Sequence, residues 1–332
     1  MNDKFDLISI GDASLDTFLT PTDTETQCKL DTKECLICFP YGDKIPVSEL
    51  EFTTGGNAAN NAVGASRFGV ATAIVLTVGG DRVAKQVVET LVSEKVETKY
   101  ISYDEKGRSN YSTVINYSGE RTIFVYHAPR NYVFPSSLPS ASWTYLTSMG
   151  ESFEPFYKSV YEWISKNPEM RLAFNPGSWQ FKKGLPSISH ILSITDVIFV
   201  NREEAEKLTN LSKSSYKNDR ELLEALGKLG PKMSVITDGG SGAFCFDGRK
   251  YLRAGVLPID PYERTGAGDA FGSGFLSAVI KGKDFSEALL WGTSNSSSVI
   301  GYTGPQKGLL RESEIDSWLD RCKSSGVTVT EF

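Results

Sequence analysis

Short runs of β-branched and aliphatic residues recur along this chain, and most are followed by stretches whose apolar positions return every three or four residues. The first kind of run predicts strands at residues 5–10, 72–78, 143–146, 171–174, 197–200 and 233–237. The second kind predicts helices at 58–68, 82–95, 155–165, 202–208 and 220–229, then at 270–280, 285–300 and 312–322. A short strand followed by a helix is one right-handed crossover, so the alternation predicts an α/β fold. Its centre is a doubly wound, mostly parallel sheet flanked by helices.

Two stretches break the rhythm. Residues 13–54 hold no helical periodicity, and 108–127 read as a hairpin of strands 109–116 and 121–126 around Tyr117-Ser118-Gly119-Glu120. Strands inserted between βα units join a parallel sheet poorly, so they predict a small separate β-sheet. Hinged on an α/β body, such a sheet is expected to act as a lid over a cleft. No linker interrupts the chain, so residues 1–332 are expected to form one domain, the lid coming from about 13–54 and 108–127.

Composition narrows the partners. Thirty-five Lys and Arg stand against 41 Asp and Glu, a net charge of −6 without a basic block, which excludes nucleic acid as an expected partner. No apolar run reaches the ~18 residues of a membrane span, and the N-terminus lacks a signal-peptide pattern, so no membrane partner and a cytoplasmic location are expected. Five cysteines, an odd and sparse set, fit a reducing compartment. Cys35 and Cys38 have only Cys28 nearby and the chain only two histidines, too few for a structural zinc site; apolar strand positions are the simpler reading.

Candidate chemistry sits in two glycine clusters. In Thr53-Thr54-Gly55-Gly56-Asn57-Ala58-Ala59-Asn60, glycines before a helix let a ligand approach the backbone. Asn57 and Asn60, one turn apart, can offer amide donors and acceptors to hydroxyls, or simply cap the helix. In Thr265-Gly266-Ala267-Gly268-Asp269, small residues opening an apolar helix expose successive N–H groups to an anion, and the helix dipole adds positive character there. Asp269 gains nothing by binding a phosphate, since like charges repel. It suits a general base for a hydroxyl attacking phosphorus, or a plain charge at a helix start. Neither a Walker P-loop, a dinucleotide-binding glycine motif nor a nucleophile elbow is present.

With these two clusters the chain resembles the PfkB family of carbohydrate kinases, with its ribokinase-like fold. Gly55, Gly56, Asn60, Gly69 and Gly79 match the family's N-terminal pattern. Gly266, Ala267, Gly268, Asp269, Ser273, Gly274 and Phe275 match the C-terminal one, and the resemblance runs from Phe5 to about Gly308. It implies ATP and Mg2+ as cofactors, Asp269 as catalytic base, and Gly266, Ala267 and Gly268 as amides holding charge on the transferred phosphoryl group. Asp16, Gly56, Asn57 and Asn60 would bind the acceptor. Asn201, Glu204, Thr237, Gly239, Gly242 and Asn295 would bind the nucleotide, with Glu204 reaching the metal through water.

The family usually carries Asp-Thr-Thr before its Gly-Ala-Gly-Asp, whereas this chain has Glu263-Arg264-Thr265. The first of those positions serves a monovalent-cation site in several members, so potassium dependence is left open. Arg264 would lie against nucleotide phosphate or at the surface. The expected activity is transfer of the ATP γ-phosphoryl group to a hydroxyl of a small sugar. A nucleoside kinase with apolar walls drawn from Phe18, Phe39, Tyr126 and Tyr132, or a catalytically silent sugar-binding regulator, are the alternatives. Apolar residues Leu36, Ile37, Phe39 and Val125 on the lid predict a homodimer formed through it.

Overall fold

Successive side chains of the first strand, Phe5–Ile10, enter opposite layers, as a strand covered on both faces requires. Leu7 packs with Phe68, Trp143 and Phe275 on one side of the sheet, while Ile8 and Ile10 pack with Leu146, Tyr157 and Phe174 on the other. The computed structural model describes residues 5–22, 25–29, 34–117 and 120–332. The first strand lies inside a ten-stranded sheet. Its order is Val329–Glu331, Tyr251–Ala254, Ala243–Phe246, Met233–Thr237, Val197–Asn201, Arg171–Asn175, Ala141–Thr147, Phe5–Ile10, Thr72–Gly79 and Ile101–Asp104. Pairing is parallel from Ile101–Asp104 through to Met233–Thr237. It turns antiparallel at the far edge, where Met233–Thr237, Ala243–Phe246, Tyr251–Ala254 and Val329–Glu331 pair. The expected doubly wound α/β sheet is what forms.

Helices Glu154–Ser165, Leu185–Leu192, Arg202–Thr209 and Asp219–Gly227 cover one face. Asn57–Arg67, Ala267–Ile280, Phe285–Val299 and Ile315–Ser324 cover the other. Caps set several starts: Asp81 accepts from the Ala84 N–H, Asn218 from Glu221 and Asp284 from Glu287. Ala267–Ile280 is apolar nearly all round because it is packed between the sheet, Phe285–Val299 and Asn57–Arg67.

The interrupting stretches form a second sheet of four strands, in the order Val47–Gly55, Ser14–Pro21, Asn110–Tyr117, Glu120–Tyr126. Ser14–Pro21 pairs antiparallel with Val47–Gly55 and parallel with Asn110–Tyr117, which closes the predicted hairpin with Glu120–Tyr126. A separate two-stranded ladder, Glu25–Lys29 with Glu34–Cys38, makes the expected single small sheet into two. Polar contacts tie the four-stranded sheet to the body, among them three at its outer strands. Arg121 Nη1 lies 3.6 Å from Glu263 Oε1, Lys307 Nζ donates to Glu51 at 3.2 Å and the Tyr262 hydroxyl donates to Glu49 at 3.3 Å.

Cys38, Cys245 and Cys322 are unpaired, while the side chains of Cys28 and Cys35 lie outside the described residues. Among the described residues no group of three or more His, Cys, Asp and Glu could hold a metal, and no helix is long and apolar enough to cross a membrane.

Candidate active site

Asp12, Ser148, Asn175, Asn201 and Thr237 stand at the carboxyl ends of five neighbouring parallel strands, where an open α/β sheet places its ligands. Two helices start at the same end, Asn57–Arg67 and Ala267–Ile280. Their approach depends on glycine. Gly56 has φ 89°, and a Cβ there would stand 2.6 Å from Ala13 Cα. Gly266 has φ 79°, and its Cβ would fall 2.3 Å from Pro305 Cβ. Only glycine takes these left-handed conformations with the backbone so close.

Three hollows adjoin. The first, about 430 Å³, lies between the inner face of the four-stranded sheet and the strand ends. Asp12, Asp16, Asn57, Asn60, Asn110 and Asp269 supply its polar groups, and Val114, Ile123, Val125 and Trp179 an apolar side. The second, about 130 Å³, is a groove between Thr237, Gly239, Gly242 and Val256 on one side and Gly268, Phe271, Thr293, Ser296 and Ser297 on the other. The third joins them: Asn57, Asn175, Glu204 and Asp269 are shared with the first, Thr237, Gly268 and Phe271 with the second. A polyol in the large hollow and an elongated ligand in the groove would therefore meet at Asp269.

Asp269 is buried, and burial pushes its carboxyl up to about 6, helped by the negative Glu204 and opposed by a hydrogen bond from Asn60. Asn60 Nδ2 donates to Asp269 Oδ2 at 2.8 Å. A buried carboxylate with no ion pair among the described residues, at the junction of two hollows, is the arrangement a general base needs. The first turn of Ala267–Ile280 aims N–H groups lacking intrahelical acceptors at the same junction. A Cβ on Gly268 would meet no protein atom within 4 Å, so its backbone is open to a ligand.

The other carboxylates are held differently. Asp12 is also raised to about 6 by burial, although the Tyr132 hydroxyl at 2.8 Å and the Gly150 N–H at 3.0 Å donate to it. Asp16 is raised by burial, with Ser14 donating at 2.9 Å. Glu204 and Asn201 form a reciprocal cap: Asn201 Oδ1 takes the Glu204 N–H and Glu204 Oε2 takes the Asn201 N–H, both at 2.9 Å. Burial raises Glu204, which has no ion-pair partner among the described residues.

The expected acceptor residues Asp16, Gly56, Asn57 and Asn60 do converge on the large hollow. Thr237, Gly239, Gly242, Ala267 and Gly268 line the groove, and Asn201 and Glu204 the junction. Asn295 is not among the lining residues: it is fully buried, donates to the Ala270 carbonyl at 2.8 Å and accepts from the Leu310 N–H at 2.8 Å. Thr293, Ser296 and Ser297 of the same helix face the groove instead. Phe18 and Tyr132 are buried and do not line the hollow, although the Tyr132 hydroxyl reaches Asp12, and neither Phe39 nor Tyr126 lines it; Val125, expected at a covered lid edge, lines the hollow itself. Arg264 is exposed near Glu49 and Arg121, outside the groove and the junction. Glu263 takes the N–H groups of Thr265 at 2.7 Å and Gly304 at 3.3 Å. Asp12, Asn110 and Asn175 carry no expectation from the sequence. Asp12 could have been suspected because it follows the first strand directly; the others have no local signal.

Known proteins resemble this chain in sequence and in fold. The sequence signature described as pfkB family carbohydrate kinase matches residues 23–311. The chain is 25% identical over 312 residues to the ATP-dependent 6-phosphofructokinase of Thermoanaerobacterium thermosaccharolyticum, covering 91% of this chain and 89% of that one. It is 24% identical over 276 residues to a ribokinase of Staphylococcus aureus, covering 81% and 89%. The structure of Arabidopsis thaliana ribokinase complexed with ribose and ATP superposes with a TM-score of 0.78 at 20% identity, over 95% of this chain and 99% of that one.

Proposed function

This chain belongs to the pfkB family of carbohydrate kinases and is a phosphotransferase acting on an alcohol group; from that premise we propose that it moves the γ-phosphoryl group of ATP to a hydroxyl of a small, uncharged sugar, with Asp269 as general base. The observation that carries the reading is the buried Asp269 carboxylate at the junction of the two hollows. The sugar occupies the large hollow, its hydroxyls donating to Asp12 and Asp16 and accepting from Asn57 and Asn110. ATP occupies the groove, with its terminal phosphate against the first N–H groups of Ala267–Ile280. Asp269 takes the proton from the attacking hydroxyl as the oxygen bonds to phosphorus and ADP departs. The four-stranded sheet acts as a lid that keeps water from the phosphate.

Charge supports an uncharged acceptor. Asp12, Asp16, Glu204 and Asp269 line the large hollow, and among the described residues neither Lys nor Arg does. Arg130 acts on Asp12 but does not line the hollow and lies 3.6 Å from Asp104; Arg121 and Arg264 lie in a neighbouring hollow with Glu49 and Glu263, and Arg121 already faces Glu263. A phosphate or carboxylate on the sugar would meet like charge without a partner. A nucleoside is the second reading, favoured by the apolar side formed by Val114, Ile123 and Val125.

Mg2+ fits the residues present. Glu204 offers a hard carboxylate oxygen at the junction with no ion pair among the described residues, Lys207 acting on it only at a distance, and Mg2+ binds through one or two carboxylates, waters and substrate phosphates. Glu204, through water, would hold it with Asn201 nearby, and the ion would offset charge on the phosphates. We also propose that two copies pair through the lid.

An ATP-consumption screen over neutral sugars, their phosphate esters, sugar acids and nucleosides tests the reading. The highest kcat/KM is expected for a neutral sugar, about 100-fold or more above its phosphate ester. A nucleoside in first place would install the second reading. Preference for a phosphate ester would overturn the charge argument, and no turnover with any acceptor would overturn the kinase reading itself.

A further inference from the structure

Gln306 lies 37 residues beyond Asp269, in the loop after helix Phe285–Val299, and belongs to neither glycine cluster. Its side chain is buried, and Nε2 donates to Asn60 Oδ1 at 3.0 Å, while Asn60 Nδ2 donates to Asp269 Oδ2 at 2.8 Å. We infer that Gln306 and Asn60 form a positioning relay for Asp269, in which Gln306 fixes which end of the Asn60 amide meets the carboxylate.

The two ends of an asparagine amide are nearly the same shape but opposite in hydrogen bonding. An ionised Asp269 only accepts and so takes the Asn60 NH2, but a protonated Asp269 could donate to the Asn60 oxygen, and Asn60 taken alone could then turn over. The Gln306 NH2, donating to the Asn60 oxygen, keeps the Asn60 nitrogen turned toward Asp269 in either protonation state. The Gln306 backbone is itself anchored: Arg67 Nη1 donates to the main-chain carbonyls of Gln306 and Leu309, both at 2.8 Å. Arg67 is held in turn by two bonds to Glu94, at 3.0 and 2.6 Å. Other polar groups near Asp269 do not replace the Asn60 bond. Glu204, from helix Arg202–Thr209, is a carboxylate, and the Tyr145 hydroxyl, from strand Ala141–Thr147, donates to Asn175 at 3.3 Å. Across the hollow stand Asp12, Asp16 and His127. The relay engages Oδ2 and so directs the remaining oxygen, Oδ1, to the acceptor hydroxyl. Asn60, expected from sequence to bind the acceptor, thereby acts on the base.

This inference rests on Asp269 being the base, so its test is separable from that reading. Gln306→Met keeps the length of the side chain and removes the donor. It is expected to lower kcat about 10-fold, with KM for ATP and for the acceptor within about twofold of the parent. In an Asp269→Asn background the same substitution is expected to leave the residual turnover unchanged, because a residue acting through Asp269 has nothing left to act on. A rise in acceptor KM at constant kcat, or an equal loss in the Asp269→Asn background, would overturn the relay while leaving the base in place. Near-parent kcat in Asp269→Asn alone would remove the base and the relay with it. If Gln306→Met melts below the assay temperature, Asn60→Leu, which keeps the branched shape and loses the donor without adding charge beside Asp269, carries the same expected loss of kcat and the same absence of effect in the Asp269→Asn background.

Discussion

Among the described residues burial pushes two carboxyls, Asp12 and Asp269, up to about 6, and of these two Asp269 stands where a hydroxyl and a phosphate could meet. A base must be ionised to accept a proton. The raised value therefore predicts that kcat/KM is level above pH ~7 and falls about tenfold per pH unit below ~6. Asp269→Asn is expected to lower kcat by about 10²–10⁴-fold and to flatten that limb, while ATP binding, measured by titration calorimetry, persists. An acidic limb unchanged in the variant would assign it to another group. The same shift acts on stability with the opposite sense. Each carboxyl is easier to protonate folded than at its ordinary value near 3.8, so its contribution is full below that value and is lost as pH rises through about 6. The residue type and spacing of Asp269 were legible because local backbone chemistry demands glycines around it. Asp12, Asn175 and Gln306 were not, because each reaches the site from a different strand end or loop.

At the scale of elements, the start of helix Ala267–Ile280 does most to set the site. Gly266 and Gly268 differ there in what constrains them. Gly266→Ala forces a side chain into a left-handed turn and against Pro305, so a loss of about 1–3 kcal/mol in denaturant unfolding is expected, with turnover falling too. Gly268→Ala meets no protein atom, so stability should hold or rise while KM for ATP increases or kcat falls. Equal stability of the two variants would contradict the strain argument. An unaffected ATP response in Gly268→Ala would place the phosphates elsewhere. The long periodic helices and the buried strands matched their expectations closely, as in 285–300 against Phe285–Val299. The short strand Ile101–Asp104 and the edge strands Tyr251–Ala254 and Val329–Glu331 were not anticipated, because four or three residues carry too little pattern.

At the scale of the whole molecule, the lid leaves apolar side chains exposed. Leu50 and Phe52 on one edge strand and Phe124 and Tyr126 on the other are all exposed, as are Leu36 and Phe39 near the two-stranded ladder. A second lid related by a two-fold axis would cover such a surface and pair exposed strand edges. Light scattering at micromolar concentration is expected to give about twice 36.4 kDa. A mass near the single-chain value would sink the dimer, and a dimer that survives Ile37→Asp combined with Phe39→Asp would put the interface elsewhere.

The sequence by itself determined the layer order, the interruption by a small sheet, and the two glycine clusters with Asp269, since periodicity and backbone freedom are local properties. Tertiary structure alone decided that Asn60 points at Asp269, that Asn295 is spent inside the helix pair, and that Val125 faces the hollow. It also brought Glu263 to Arg121. Those outcomes depend on which strand ends and loops meet in space, and on which hydrogen-bonding partner each buried amide finds there.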